Sequence, residues 1–205
     1  METRENTLDD FVIKEMPQYR KRIILTKDDI WLDAGGNIGA FSNEFNEEVK
    51  QIISFEPDKE NFELMVRNTK DLKNVINNNL ALVGNNDKER SFFLNVKRNK
   101  GTHSFLVKRG RDKVTVNCVN INEVIKKYNI NKIKMDVEGA EYELIKVINF
   151  TNITEIVLEF HFSMLKDKDH SKFDEIIEIL ESNFNKVIRK EKIGGDWTTL
   201  INCLK

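Results

Sequence analysis

Three short stretches carry side chains whose types and spacing could do chemistry. The first is Asp33-Ala-Gly-Gly-Asn-Ile-Gly39, an acid and three glycines set between an apolar run and an amphipathic one. Glycines at 35, 36 and 39 clear the side chains that would keep a ligand from backbone, and the helix expected just beyond offers free N–H groups. Asp33 brings negative charge to the same place, which argues against a pyrophosphate and for a ligand with a cationic group. The second is Phe55-Glu56-Pro57. Glu56 follows the loop by about 20 residues, where a doubly wound α/β fold sets an acid against ribose hydroxyls. Loop and acid together point to an adenosine-bearing cofactor. The competing reading of Glu56 is a cap for the helix that follows.

The third group is a double pair. Asp136 and Glu138 are two residues apart, as are Glu159 and His161, each pair at the end of a predicted strand. In extended chain, residues i and i+2 project the same way, and ligands of parallel sheets sit at the strand ends. Two strands thereby deliver carboxylates and an imidazole to one crevice. His161 titrates near neutrality and is the natural general base, with Asp136 or Glu159 orienting it or acting in its place. The same acids with His161 could instead hold a divalent ion that lowers the pKa of a bound hydroxyl. Glu138 and Glu141 also fall in the first turn of a predicted helix, where carboxylates are favourable for dipole reasons alone.

The elements that must position these residues alternate. Residues 1–22, with Leu8, Phe11, Val12 and Tyr19 at helical spacing, read as an N-terminal helix that Pro17 ends or kinks. Strands follow at 29–33, 51–55, 74–83, 133–136 and 155–160. Helices are expected at 38–50 (Phe41, Phe45, Val49 inward), 58–70 (Phe62, Met65, Val66), 122–129 and 138–148 (Leu144, Ile145, Ile148). Ser171 and Asp174 open a further helix, and 186–190 with 198–204 form a hairpin around Gly194-Gly195-Asp196. Strands separated by helices imply a mainly parallel sheet covered on both faces, a three-layer α/β sandwich with an antiparallel C-terminal hairpin.

Composition bounds the partners. The 205 residues fit one domain, and 40% hydrophobic content supports a sizeable core. Lys+Arg 33 against Asp+Glu 34 gives a net charge of -1, unlike a basic nucleic-acid binder. No run is long enough to span a membrane, and the N-terminus lacks the pattern of a signal peptide. Two cysteines, Cys118 and Cys203, exclude a disulfide framework and favour a reducing, cytoplasmic setting. The even balance hides an asymmetry. Between Arg90 and Lys113 eight basic residues face one acid, Asp112. Residues 85–118 therefore read as a basic insertion or lid, with His103 and Lys100 as substrate-gripping residues; the alternative is a hairpin solvated by lysines.

Trp31-Leu-Asp33-Ala-Gly-Gly-Asn37-Ile-Gly39-Ala-Phe41-Ser42, Phe55-Glu56-Pro57 and Lys134-Met-Asp136-Val-Glu138-Gly139-Ala-Glu141 resemble the FkbM family of S-adenosylmethionine-dependent methyltransferases, over roughly residues 29–161. The last block is the most specific. The resemblance implies a Rossmann-like, seven-stranded sheet whose seventh strand runs antiparallel beside the fifth. It implies methyl transfer to oxygen, commonly a sugar or polyketide hydroxyl. By resemblance, Asp33, Gly35, Gly36, Asn37, Gly39 and Phe41 hold the methionine part of the cofactor. Glu56 with Pro57 holds its ribose, Asn79 and Ala81 lie near adenine, and Asp136 serves cofactor and catalysis. Glu138 would face the acceptor. Ile121-Asn122 stands where the family often has Leu-Asp. The expected activity is O-methylation of a carbohydrate or sugar-containing acceptor. Two alternatives are a ribose 2′-O-methyltransferase on RNA, using Lys14 or Lys21 ahead of the first strand, and a non-catalytic cofactor-binding subunit. A chain this short leaves acceptor binding to the lid, a partner or further domains of a longer polypeptide.

Overall fold

The computed structural model describes residues 1–95, 103–104, 112–162, 171–193 and 198–205. A first helix, α1 (Asp9–Arg20), precedes β1 (Ile30–Ala34), α2 (Ala40–Phe45), β2 (Gln51–Phe55), α3 (Lys59–Thr69), β3 (Val75–Asn78) and β4 (Ala81–Val83). The chain continues through β5 (Glu89–Leu94), β6 (Asp112–Asn120), α4 (Ile121–Tyr128), β7 (Lys132–Met135), α5 (Glu141–Ile145) and β8 (Glu155–His161). It closes with α6 (Ser171–Asn183), β9 (Lys186–Ile193) and β10 (Thr198–Leu204). Seven strands form the main sheet in the order β3-β2-β1-β7-β8-β10-β9. Pairings from β3 through β8 are parallel, and β10 runs antiparallel to both neighbours. The order reverses between β1 and β7, so the ends of those two strands flank the crevice where α/β sheets take their ligands. The expected mainly parallel sheet with an antiparallel terminal hairpin is what the chain forms.

Apolar cores lie on both faces of the sheet. One gathers Leu32, Ile53, Ile133, Leu144, Ile156 and Leu180 under α4, α5 and α6. The other packs Met16 and Tyr19 of α1 against Trp31, Phe41, Phe45 and Ile52. The ring of Phe41 lies 5.5 Å from that of Trp31 and 4.8 Å from that of Phe45, pinning α2 to the sheet. Cys118 and Cys203 are free and buried. Among the described residues no helix is long and apolar enough to cross a membrane.

Several local expectations change. Pro17 does not stop α1, which runs on to Arg20. Leu8 and Phe11 are exposed, and the helix seats itself through Met16 and Tyr19. In α3 the inward stripe is Asn61, Leu64, Met65 and Thr69, while Val66 is exposed and Phe62 half-buried. The predicted strand 74–83 is two strands in two sheets. Its break falls at Asn79, whose side chain donates to the carbonyls of Glu56 (2.8 Å) and Pro57 (3.1 Å) and turns the chain. Beyond it β4 joins β6 and β5 in a separate three-stranded sheet. The predicted helix 138–148 is helical only from Glu141 to Ile145, because Glu138 and Gly139 adopt positive φ (51° and 105°). The hairpin turn 194–196 and Lys97, Arg98, Lys100, Lys108, Arg109 and Arg111 lie outside the described residues.

Candidate active site

The loop after β1 is built by close backbone approach. Gly35 and Gly36 donate to the carbonyl of Phe55 (3.0 and 2.9 Å), and Asp136 donates to that of Ala34 (3.0 Å). At Gly35, with φ +81°, a Cβ would stand 1.8 Å from the Asp136 carbonyl oxygen, so no other residue fits without moving the loop. Gly39, at φ +85°, leads into α2. Asn37 takes a positive φ of 49° and gives its N–H to Glu56 Oε2 (2.8 Å). Glu56 Oε1 accepts from Asp58 N–H (2.9 Å). Burial pushes the Glu56 carboxyl up to about 8, against the pull of those two amides.

Two recesses open on either side of this loop, sharing Gly35, Asn37 and Asp136. The first holds about 590 Å³ of empty space and is lined by Glu56, Pro57, Asn61, Ala81, Leu82 and Phe92, with His103 and Glu138 at its edge. It combines apolar walls with three acids, Glu56, Asp136 and Glu138, a composition suited to a nucleoside. The second, about 300 Å³, lies between the loop and α1, with Glu15, Tyr19, Gly36, Phe41 and Lys134 in its wall.

Charge is crowded at the strand ends. Strand register places Asp33 beside both Ser54 and Lys134. Ser54 Oγ donates to Asp33 Oδ2 (3.2 Å), and the Lys134 ammonium stands 3.2 Å from Oδ1 as an ion pair without hydrogen-bond alignment. Lys134 also donates to the Gly35 carbonyl (2.7 Å) and lies 4.0 Å from Asp136. Burial would lower its proton affinity, but Asp33 and Asp136 outweigh that and hold it charged. His161 Nδ1 meets Glu141 Oε1 at 2.9 Å, while Nε2 faces Glu138 (3.6 Å) and Asp136 (3.8 Å). Burial opposes charge on the imidazole too, yet Glu138, Glu141 and Asp136 together raise it well above its ordinary range. The three acids thus bias His161 toward imidazolium. Glu141 is fixed in turn by the N–H groups of Val137 and Gly139.

A residue model for the FkbM methyltransferase domain matches residues 33–187. The chain belongs to the FkbM methyltransferase family. No curated protein sequence matches it. Among solved structures, an FkbM methyltransferase from Methylobacillus flagellatus KT aligns at 13% identity with a TM-score of 0.58, covering 88% of this chain and 44% of that one. A precorrin-6y C5,15-methyltransferase from Geobacter metallireducens GS-15 aligns at 12% and 0.56, over 100% and 94%. A fibrillarin pre-rRNA processing protein from Methanococcus jannaschii aligns at 13% and 0.55, over 89% and 70%. At these identities the likeness is one of fold. Family and fold together make this chain a class I, S-adenosylmethionine-dependent methyltransferase.

The residues of this FkbM domain fit that cofactor. The glycine cradle would be filled by any Cβ, Glu56 presents a carboxylate beside an apolar recess, and the second recess carries the acids Glu15 and Asp136, which suit a sulfonium and an ammonium. Of the predicted positions, Gly35, Gly36, Asn37, Phe41, Glu56, Pro57, Ala81, Asp136, Glu138 and His103 line one recess or the other. Asn79 and Gly39 do not, and they shape the backbone behind the walls. Asp33 is fully buried and also stands behind the loop. His103 lines the first recess, with its Nδ1 accepting from Asn95 N–H (2.9 Å). Asn122 ties α4 to Val147 and Asn149, away from both recesses. Lys14 and Lys21 are exposed.

Asp136, Glu159 and His161 bring possible ligand atoms within 4.8 Å of one another. A divalent ion there would have to displace the proton that Glu138, Glu141 and Asp136 favour on the imidazole. Sequence reasoning missed Glu15 and Tyr19, because a helix ahead of the first glycine loop signals packing alone. It also passed over Lys134. A lysine two residues before a functional acid on a buried strand projects beside it and needs carboxylate partners, a signal that was available.

Proposed function

We propose that this domain transfers a methyl group from S-adenosylmethionine to a hydroxyl oxygen of a sugar or glycan in the cytoplasm. The observation that carries the reading is His161 held between Glu141, Glu138 and Asp136, the last two of which line the glycine-cradled cleft while the buried imidazole stands behind them. When bound, S-adenosylmethionine supplies an electrophilic methyl carbon on a sulfonium. The first recess would hold its nucleoside, with Glu56 toward the ribose hydroxyls and Ala81 and Leu82 beside the adenine. The second would hold its amino-acid end.

A sugar hydroxyl attacks only as its proton leaves. Glu159 is suited to accept it: burial and the neighbouring Asp136 raise its carboxyl above the usual range, nearer to working pH. The His161 imidazolium then orients the hydroxyl and stabilises the negative charge that develops on its oxygen. Glu141 keeps the ring in place, and Asp136 aligns the acceptor. The strands β5 and β6 form a lid: Ser104 Oγ donates to the Glu138 carbonyl (2.7 Å), tying that sheet to the catalytic turn.

Incubation of glycans and RNA oligomers with labelled methyl donor, followed by mass spectrometry, tests this. Methyl ethers on glycan hydroxyls are expected, and a fall of about 100-fold in Glu159→Gln. Label confined to RNA ribose would establish the nucleic-acid alternative.

A further inference from the structure

The second recess contains an acid that the matched family segment does not include. Glu15 lies on α1, ahead of residues 33–187, and faces Gly36, Lys134 and Asp136 across the opening. Asp33, the acid expected to meet the cofactor's amino-acid end, is fully buried, spends its oxygens on Ser54 and Lys134, and lines neither recess. Yet the recess is where that end must go. A ligand with its nucleoside in the first recess passes over Gly35 and Asn37, which both recesses share, and arrives at the wall formed by α1.

We propose that Glu15 receives the α-ammonium of the methionine moiety of S-adenosylmethionine, while Asp33 supports the loop from behind. The inference rests on the cofactor assignment above and adds to it the residue that completes the site. The surroundings favour a cation there. Glu159, Asp136, Lys134, His161 and Tyr19 are the charged or titratable groups that face Glu15, and the two carboxylates are the stronger influence. Burial, with Glu159 and Asp136, pushes the Glu15 carboxyl up to about 8, so the empty recess holds a proton that an ammonium can replace. Tyr19, buried beneath it, seats α1 against Phe41 and fixes the position of Glu15 one turn away.

Titration calorimetry with two ligands decides. S-adenosylhomocysteine and 5′-methylthioadenosine share nucleoside and thioether, but only the first carries the amino acid. Glu15→Gln should weaken S-adenosylhomocysteine about 10- to 100-fold, as expected for a lost charge-assisted hydrogen bond, and leave 5′-methylthioadenosine unchanged. Its melting temperature should equal or exceed that of the wild type, because it removes one of several crowded carboxylates. Equal losses for both ligands, or no loss for either, would overturn the proposal. Glu15→Asp, which keeps the charge but shortens the reach, carries the same comparison with a smaller selective loss should the glutamine variant fail to fold. Failure of the wild type to bind either ligand would instead remove the cofactor assignment beneath it.

Discussion

Two lysines of β7, Lys132 and Lys134, point the same way from one strand and are both buried, but they end in unlike surroundings. At the base of the sheet Lys132 lies 3.0 Å from Asp29 and 3.0 Å from Glu155. Those acids are otherwise provided for: Asp29 accepts from Thr26 N–H and Asn131, and Glu155 accepts from Ile24 N–H and Asn202. Every charge there has partners inside the protein. At the ligand end, Lys134 and His161 face Asp33, Asp136, Glu138, Glu141, Glu159 and Glu15, a crowd in which burial and neighbouring acids push the Glu15 carboxyl up to about 8. A buried charge cluster that is closed holds a fold together. One in which crowded carboxylates hold extra protons is open to a ligand whose positive charge can replace them.

The contrast can be broken most forcefully at its closed end. Lys132→Met leaves Asp29 and Glu155 buried without their counter-ion, a loss of about 3–5 kcal/mol. Thermal denaturation should register it as a fall of roughly 6–20 °C for a chain of this size. At the open end the expectation reverses. Asp136→Asn relieves that crowding, so its melting temperature should match or exceed the wild type's, while methyl transfer falls by about 100-fold or more. A melting drop like that of Lys132→Met would erase the distinction.

Acidity sharpens the comparison further. Glu15, Glu56 and Glu138 have carboxyls pushed up to about 8, chiefly by burial, and His161 is also raised. In each case the folded protein holds its proton more tightly than the unfolded chain. Their stabilisation is complete below the unfolded values and is lost as pH rises through the folded ones. The ligand-free protein should therefore melt at progressively lower temperature between pH 5.5 and about 8, and Glu138→Gln should flatten that slope. The smallest effect belongs outside both clusters. Asn122→Ala forfeits two hydrogen bonds between α4 and the segment after α5, costing about 1 kcal/mol, with cofactor affinity unchanged by calorimetry.

Alternation of apolar strands and amphipathic helices made the layered sheet legible, and the glycine loop, Glu56 and the Asp136–Glu138 turn marked the cleft. What stayed hidden depends on distance in sequence. Glu15 reaches the crevice only because Met16 and Tyr19 dock α1 on the sheet, and no local pattern encodes that docking. The charge on His161 follows from three carboxylates that meet it only after β7 and β8 pair. Spacing placed the imidazole near Asp136 and Glu138 and could not give its protonation. The division of 74–83 between two sheets turned on one side chain, Asn79, bonding to carbonyls more than twenty residues earlier.

Titration of the wild-type protein with S-adenosylmethionine at several pH values tests the crowded-carboxylate account most directly. The account predicts one bound equivalent whose affinity strengthens from pH 6 to about 7.5, as carboxylates in the crevice exchange protons for the ligand's positive charge. Absence of binding, or an affinity that weakens over that range, would contradict it.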